Sequence, residues 1–124
     1  MYVRFTVPSD PDRPQPRTFA GIFRAAGRLM DDHRFNIWQD KLLEEDFAWF
    51  NATLPRPTEL RSGRAVCWFL PEAREAISRA WRIAKLVESI GVPVQVFRRR
   101  DPGLIVYRDD FQVAAVRWRG SLRS

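Results

Sequence analysis

Apolar and polar side chains alternate from Tyr2 to Val7, with Val3, Phe5 and Val7 on one side and Tyr2, Arg4 and Thr6 on the other. A period of two predicts a strand with one apolar face. Pro8, Pro11, Pro14 and Pro16 follow, and their fixed φ angles and missing donors predict an extended loop over 8–17. The period then changes. Phe19, Ile22, Phe23, Ala26, Leu29 and Met30 recur at i, i+3, i+4 and i+7, which predicts a helix that Thr18 can cap. Gly21 and Gly27 weaken that helix by about 1 kcal/mol each relative to Ala, and they allow close packing. Asp31-Asp32-His33 breaks it. A second helix is predicted from Arg34 to Thr53, with Phe35, Trp38 and Leu42 in one apolar line and Leu43, Phe47 and Phe50 in another. With Trp49 these make a wide apolar face, opposite an acidic side of Asp40, Glu44, Glu45 and Asp46. Pro55 and Pro57 disfavour helix in the residues before them and open an internal loop over 54–64.

The apolar run Ala65–Leu70 reads as a strand. Pro71 suits the first position of a helix, and Glu72 and Glu75 complement its N-terminal dipole. Ala73, Ala76, Ile77, Ala80, Ala84 and Val87 repeat at helical spacing, and Arg79, Arg82 and Lys85 fall on the other face. Gly91 ends the helix, Pro93 prevents its continuation, and Val94–Phe97 is β-rich again. Two strands joined through a helix are expected to be parallel, with a right-handed connection, if they share a sheet. Pro102-Gly103 signals a type II turn, and Leu104–Tyr107 and Phe111–Trp118 read as two further strands. Short loops at this end predict an antiparallel meander. The expected fold is therefore α+β: one domain over 1–124, with a four- to five-stranded, mostly antiparallel sheet and about three helices packed on it.

Composition adds little to the fold and more to the choice of partners. The chain has 124 residues and is 45% hydrophobic with nine Phe, five Trp and two Tyr, enough to fill a core. Its net charge of +6 is uneven. Nine basic and nine acidic residues cancel in 1–62, whereas twelve basic residues face six acidic ones in 63–124. Nineteen of the basic residues are Arg, which suits bidentate anion recognition and equally reflects a GC-rich coding bias. A single cysteine, Cys67, excludes an internal disulfide and a cysteine-rich metal site, and its place in a strand predicts a buried, inert thiol. No leader pattern precedes Tyr2 and no apolar run approaches the ~20 residues of a membrane span, so a cytoplasmic location and no membrane partner are expected.

A longer pattern is carried by Tyr2-Val3-Arg4-Phe5, Gly21-Ile22-Phe23-Arg24-Ala25-Ala26, Trp49-Phe50-Asn51 and Leu54-Pro55. It continues with Cys67-Trp68-Phe69, Pro102-Gly103, Val106-Tyr107 and Phe111-Gln112-Val113. In these stretches the chain resembles a group of short uncharacterised bacterial proteins. The resemblance implies a single domain whose turns and aromatic residues matter to the fold, and it brings no activity.

The residues offer little for catalysis. Asp31/Asp32, Glu44/Glu45 and Asp109/Asp110 are adjacent pairs whose side chains diverge, and Asp109-Asp110 reads as turn chemistry. The only histidine, His33, lies in a charged break without a nucleophile turn to serve. Asp31, Asp32 and His33 are consecutive and seldom converge on one ion, and no Gly-rich phosphate loop is present. No enzyme, cofactor or metal is expected. The charge pattern singles out Arg98, Arg99, Arg100, Arg108 and Arg117 as a candidate surface for nucleic acid or an acidic protein. Trp81 and Trp118 are candidates for a self-association surface, and core packing accounts for Trp38, Trp49 and Trp68. The expectation is a small non-enzymatic interaction module that forms a homodimer, with nucleic-acid binding as the alternative.

Overall fold

The computed structural model describes residues 1–8, 19–62 and 64–117. The proline-rich loop, the Thr18 cap and Trp118 lie outside the described residues. Six strands and three α-helices follow in the order β1 (Tyr2–Pro8), β2 (Phe19–Gly21), α1 (Ile22–Asp31), α2 (Ile37–Thr53), β3 (Ala65–Phe69), α3 (Arg74–Ser89), β4 (Gln95–Arg99), β5 (Leu104–Arg108) and β6 (Gln112–Val116). A short 3-10 turn, Thr58–Ser62, precedes β3. The strands form one antiparallel sheet with three helices against it, so the α+β expectation holds.

The N-terminal strand is central. One edge of β1 pairs with β4 from Tyr2↔Arg99 to Thr6↔Gln95. Its other edge is shared: Val3 pairs with Phe69 of β3, and Thr6–Pro8 pair with β2. Beyond β3 come β6 and then β5. The unit β3–α3–β4 is therefore split, because its two strands run the same way with β1 between them. By register, Val3, Phe5 and Phe69 share one face. The helices pack there: Phe5 meets Trp81 edge-on at 5.1 Å, and Phe69 meets Phe23 and Phe50 at 6.3 and 6.1 Å. Thr6, Trp68, Val113 and Ala115 point to the other face and are buried as well. Burial on both faces explains the unbroken apolar run of β3.

The expected meander is corrected at β4 and β5, which do not pair with each other. On a flat sheet they would lie four strand spacings apart, roughly 19 Å at ~4.8 Å each, and the end of β4 would lie five residues, roughly 17 Å, along the strands from the start of β5. Five Cα–Cα steps from Arg99 to Leu104 reach roughly 18 Å at most. The sheet must therefore curl, and Gln95–Arg108 runs in one direction as a ribbon bent at Asp101–Gly103. Asp101 Oδ1 accepts from the Gly103 N–H at 2.9 Å, and Gly103 takes φ +114° with no room for a Cβ beside the Val116 carbonyl.

The helix boundaries shift for local reasons. Phe19 is drawn into β2, so α1 starts at Ile22. Asn36 and Gln39 form a reciprocal capping box that sets the start of α2 three residues later than expected, and His33 sits at φ +56° before it. Pro71 lies in a turn and α3 starts at Arg74. The α3 terminus is a Schellman motif: Gly91 N–H reaches the Glu88 carbonyl, Val92 N–H reaches Val87, and Gly91 has φ +88°.

Two assignments on α2 are overturned. Asp46, expected on the acidic outer side, is completely buried. It accepts from Arg79 at 2.9 Å and from Arg82 at 2.9 and 3.0 Å, and Arg79 lies over the Trp49 ring at 4.9 Å. Arg79 and Arg82 therefore clamp α3 to α2 rather than lining a solvated face. Conversely, Trp38 is 71% exposed, beside exposed Ile37 and Leu42, so it does not belong to the core. The two reversals have one cause: the buried stripe of α2 runs through Leu43, Asp46 and Phe50.

Gly103→Ala is expected to lower unfolding stability by about 1–3 kcal/mol, because a side chain there meets both an unfavourable φ and the Val116 carbonyl. Urea unfolding checks this. Gly27→Ala, whose Cβ has open space inside α1, should be neutral or stabilising in the same assay.

Candidate functional site

The five candidate arginines are all exposed, and none makes a hydrogen bond or ion pair among the described residues. They do not form one cluster. Arg98 falls on the helix face, where its guanidinium lies 5.9 Å from the Trp81 ring centroid, whereas Arg99, paired with Tyr2, falls on the other face. Arg100 begins the bend after β4. Arg108 ends β5 on the other outer strand, and Arg117 follows β6 at the opposite end of the sheet. Trp81 is half-buried between Phe5 and Arg98.

The outer strand β5 carries a feature that the alternation pattern concealed. Leu104, Ile105 and Val106 are consecutive and exposed by 49%, 38% and 40%. A bulge between Ile105 and Tyr107 interrupts the register with β6, so neighbouring side chains no longer alternate cleanly between faces. Among the described residues β5 pairs with β6 alone, which leaves one line of backbone groups on its outer side.

The turn from β5 to β6 is a closed polar knot. Asp109 Oδ1 accepts from the Phe111 and Gln112 N–H groups at 2.7 and 2.9 Å, and its Oδ2 accepts from the Tyr107 hydroxyl at 2.8 Å. Gln112 Nε2 donates to the Pro55 carbonyl at 2.8 Å and ties the loop after α2 to this turn. Burial raises the Asp109 pKa, but these donors outweigh it and hold the carboxyl below its ordinary value. The same hydrogen bond, helped by burial, pushes the Tyr107 phenol up to about 12. Asp109 is thus occupied as a structural acceptor, the turn role expected from its position.

A cavity of about 180 Å³ opens where β1 and β3 part. Their pairing is limited to Val3↔Phe69, so Arg4 faces Cys67 and Trp68 across a gap in the ladder. Phe5, Phe23 and Phe69 supply apolar walls. Burial pushes the half-buried Arg4 guanidinium below its ordinary value, and Cys67 offsets this only in part. Burial also pushes the Cys67 thiol up to about 11, with Asp109 adding to the effect and Arg4 opposing it. A neutral, half-buried thiol fits the inert role expected of it. No sequence motif marks this gap, because it arises from β2 taking over the edge of β1.

Among the described residues no group of three or more His, Cys, Asp or Glu side chains could hold a metal ion. None of the described helices is long and apolar enough to cross a membrane. No protein-family model, curated protein or solved structure matches the chain.

The Tyr107–Asp109 bond sets two pH limits. A phenol pKa raised on folding contributes stability that is complete below the ordinary value near ~10 and lost as pH rises towards about 12. A carboxyl pKa lowered on folding contributes stability present above ~3.9 and lost as pH falls below it. Asp109→Asn should remove the acid-side contribution and return the Tyr107 phenol towards ~10 in a spectroscopic titration. An unchanged titration would refute the assignment.

Proposed function

We propose that this chain is a non-enzymatic interaction module that self-associates by pairing β5 with β5 of a second copy. The supporting observation is the exposed Leu104-Ile105-Val106 run on an outer strand whose second backbone edge is unpaired among the described residues. Such an edge is a template for strand addition, and main-chain hydrogen bonds would supply affinity while the apolar side chains are covered. A two-fold antiparallel arrangement is self-complementary in charge. It directs the Arg99-Arg100 approach to β5 in one copy towards Asp109-Asp110, at the far end of β5, in the other.

A second reading rests on the five arginines. All are exposed without a carboxylate partner among the described residues, as a surface for nucleic acid or an acidic protein requires. Their spread over two faces and two outer strands weakens this reading beside the first.

Sedimentation equilibrium is expected to give the mass of two chains, and Ile105→Lys to give the mass of one with unchanged circular dichroism. A monomer at all concentrations would refute the proposal. Loss of the dimer in Trp38→Ala but not in Ile105→Lys would move the interface to α2. For the second reading, binding to mixed oligonucleotides should weaken steeply with salt, and replacing Arg98, Arg99 and Arg100 with Gln should flatten that slope.

A further inference from the structure

We infer that the outer edge of β4 is a strand-addition site for an extended acidic segment of a partner protein. Among the described residues β4 pairs with β1 alone, from Tyr2↔Arg99 to Thr6↔Gln95, so its second backbone edge has no described partner. Such an edge presents alternating N–H and C=O groups at the spacing of an incoming strand. Backbone by itself accepts any sequence, and the side chains along β4 are what select.

Arg98, Arg99 and Arg100 are consecutive and exposed, and none makes a hydrogen bond or ion pair among the described residues. The carboxylate next in the chain, Asp101, accepts from the Gly103 N–H at 2.9 Å within the bend. The register sets the arginines on both sides of the edge. Arg98, paired with Val3, is on the helix face, and Arg99, paired with Tyr2, is on the other. An added strand alternates its side chains in the same way, so adjacent carboxylates on it meet Arg98 on one face and Arg99 on the other. Trp81 steadies the first of these. Its ring centroid lies 5.9 Å from the Arg98 guanidinium, and the ring is itself set by edge contact with Phe5 at 5.1 Å. A guanidinium held on an aromatic face loses less freedom on binding than a loose one. Farther from the bend, Val96 and Phe97 are half-buried, one on each face. They suit apolar residues at the other end of the same segment.

The arrangement favours a peptide over a nucleic acid. A phosphodiester backbone carries acceptors but no amide N–H, so it leaves the outward carbonyl groups of β4 without donors. Stacked bases need an open aromatic face, whereas Trp81 lies between Phe5 and Arg98. The site is on the outer strand at the other end of the strand path from β5, and it does not rest on pairing of β5.

The test uses the full chain and a labelled peptide with blocked termini, Val-Thr-Val-Asp-Glu-Asp. Fluorescence anisotropy measures affinity, and amide hydrogen exchange locates the contact. Saturable binding at low salt is expected, with new protection of those β4 amides that do not bond to β1. Replacing Arg98, Arg99 and Arg100 together with Gln should weaken binding roughly ten-fold, and the difference should narrow as salt rises. These side chains are exposed, so circular dichroism should stay the same. The same peptide N-methylated at every residue keeps its charge but cannot donate, and it should lose most of the affinity. Ile105→Lys should bind the peptide as the unsubstituted chain does, which separates this site from the pairing of β5. No peptide binding, equal binding of the N-methylated peptide, outward β4 amides already protected in the free chain, or protection confined to β5 would each overturn the inference. A thymidine oligonucleotide of equal charge that binds as tightly as the peptide would overturn it in favour of nucleic acid.

Discussion

The structure depends on β1 having both edges occupied. Seven residues at the start of the chain pair with β4 on one side and with β2 and β3 on the other. A strand in that position cannot form from local sequence alone, because its partners come from residues 19–21, 69 and 95–99. Long-range pairing of this kind carries the cost of loop closure before any hydrophobic gain appears. In return, Val3 and Phe5 bring the helices and the sheet into one core, with Phe5 in edge contact with both Phe69 and Trp81.

The same arrangement makes the cavity. Because β2 and β3 divide one edge of β1, neither covers it fully, and the gap falls at Arg4. A continuous β1–β3 ladder would close it. The curl that carries Gln95–Arg108 from one outer strand to the other is a second consequence of the crowded centre. It places the apolar β5 at an edge of the sheet that the described residues form.

Asp46 holds the helical layer in register. A buried carboxylate is tolerated only when its oxygens are satisfied, and here two arginines from the next turn of α3 do so. The pair adds specificity to the α2–α3 contact, since a shift of one turn would leave the carboxylate unpaired. It also removes Arg79 and Arg82 from the pool of charges open to a partner. The basic excess visible in composition is therefore larger than the basic surface the fold offers.

The periodicity of the chain determined its strands and helices well, because amphipathic patterns record burial directly. Tyr2–Val7, Ala65–Leu70 and the helix ending at Gly91 are legible for that reason, as is the need for glycine at 103. The turn role of Asp109 was readable too, since its partners lie two and three residues away. Three matters were decided only by the tertiary structure. Pro102-Gly103 signals a turn, but whether the chain reverses or bends depends on which strands lie free to pair. Trp38 and Asp46 exchange their expected places because two apolar lines compete on α2 and only the neighbouring helix selects between them. The cavity beside Arg4 draws its lining from residues far apart in sequence, and it exists only because two strands share one edge of β1.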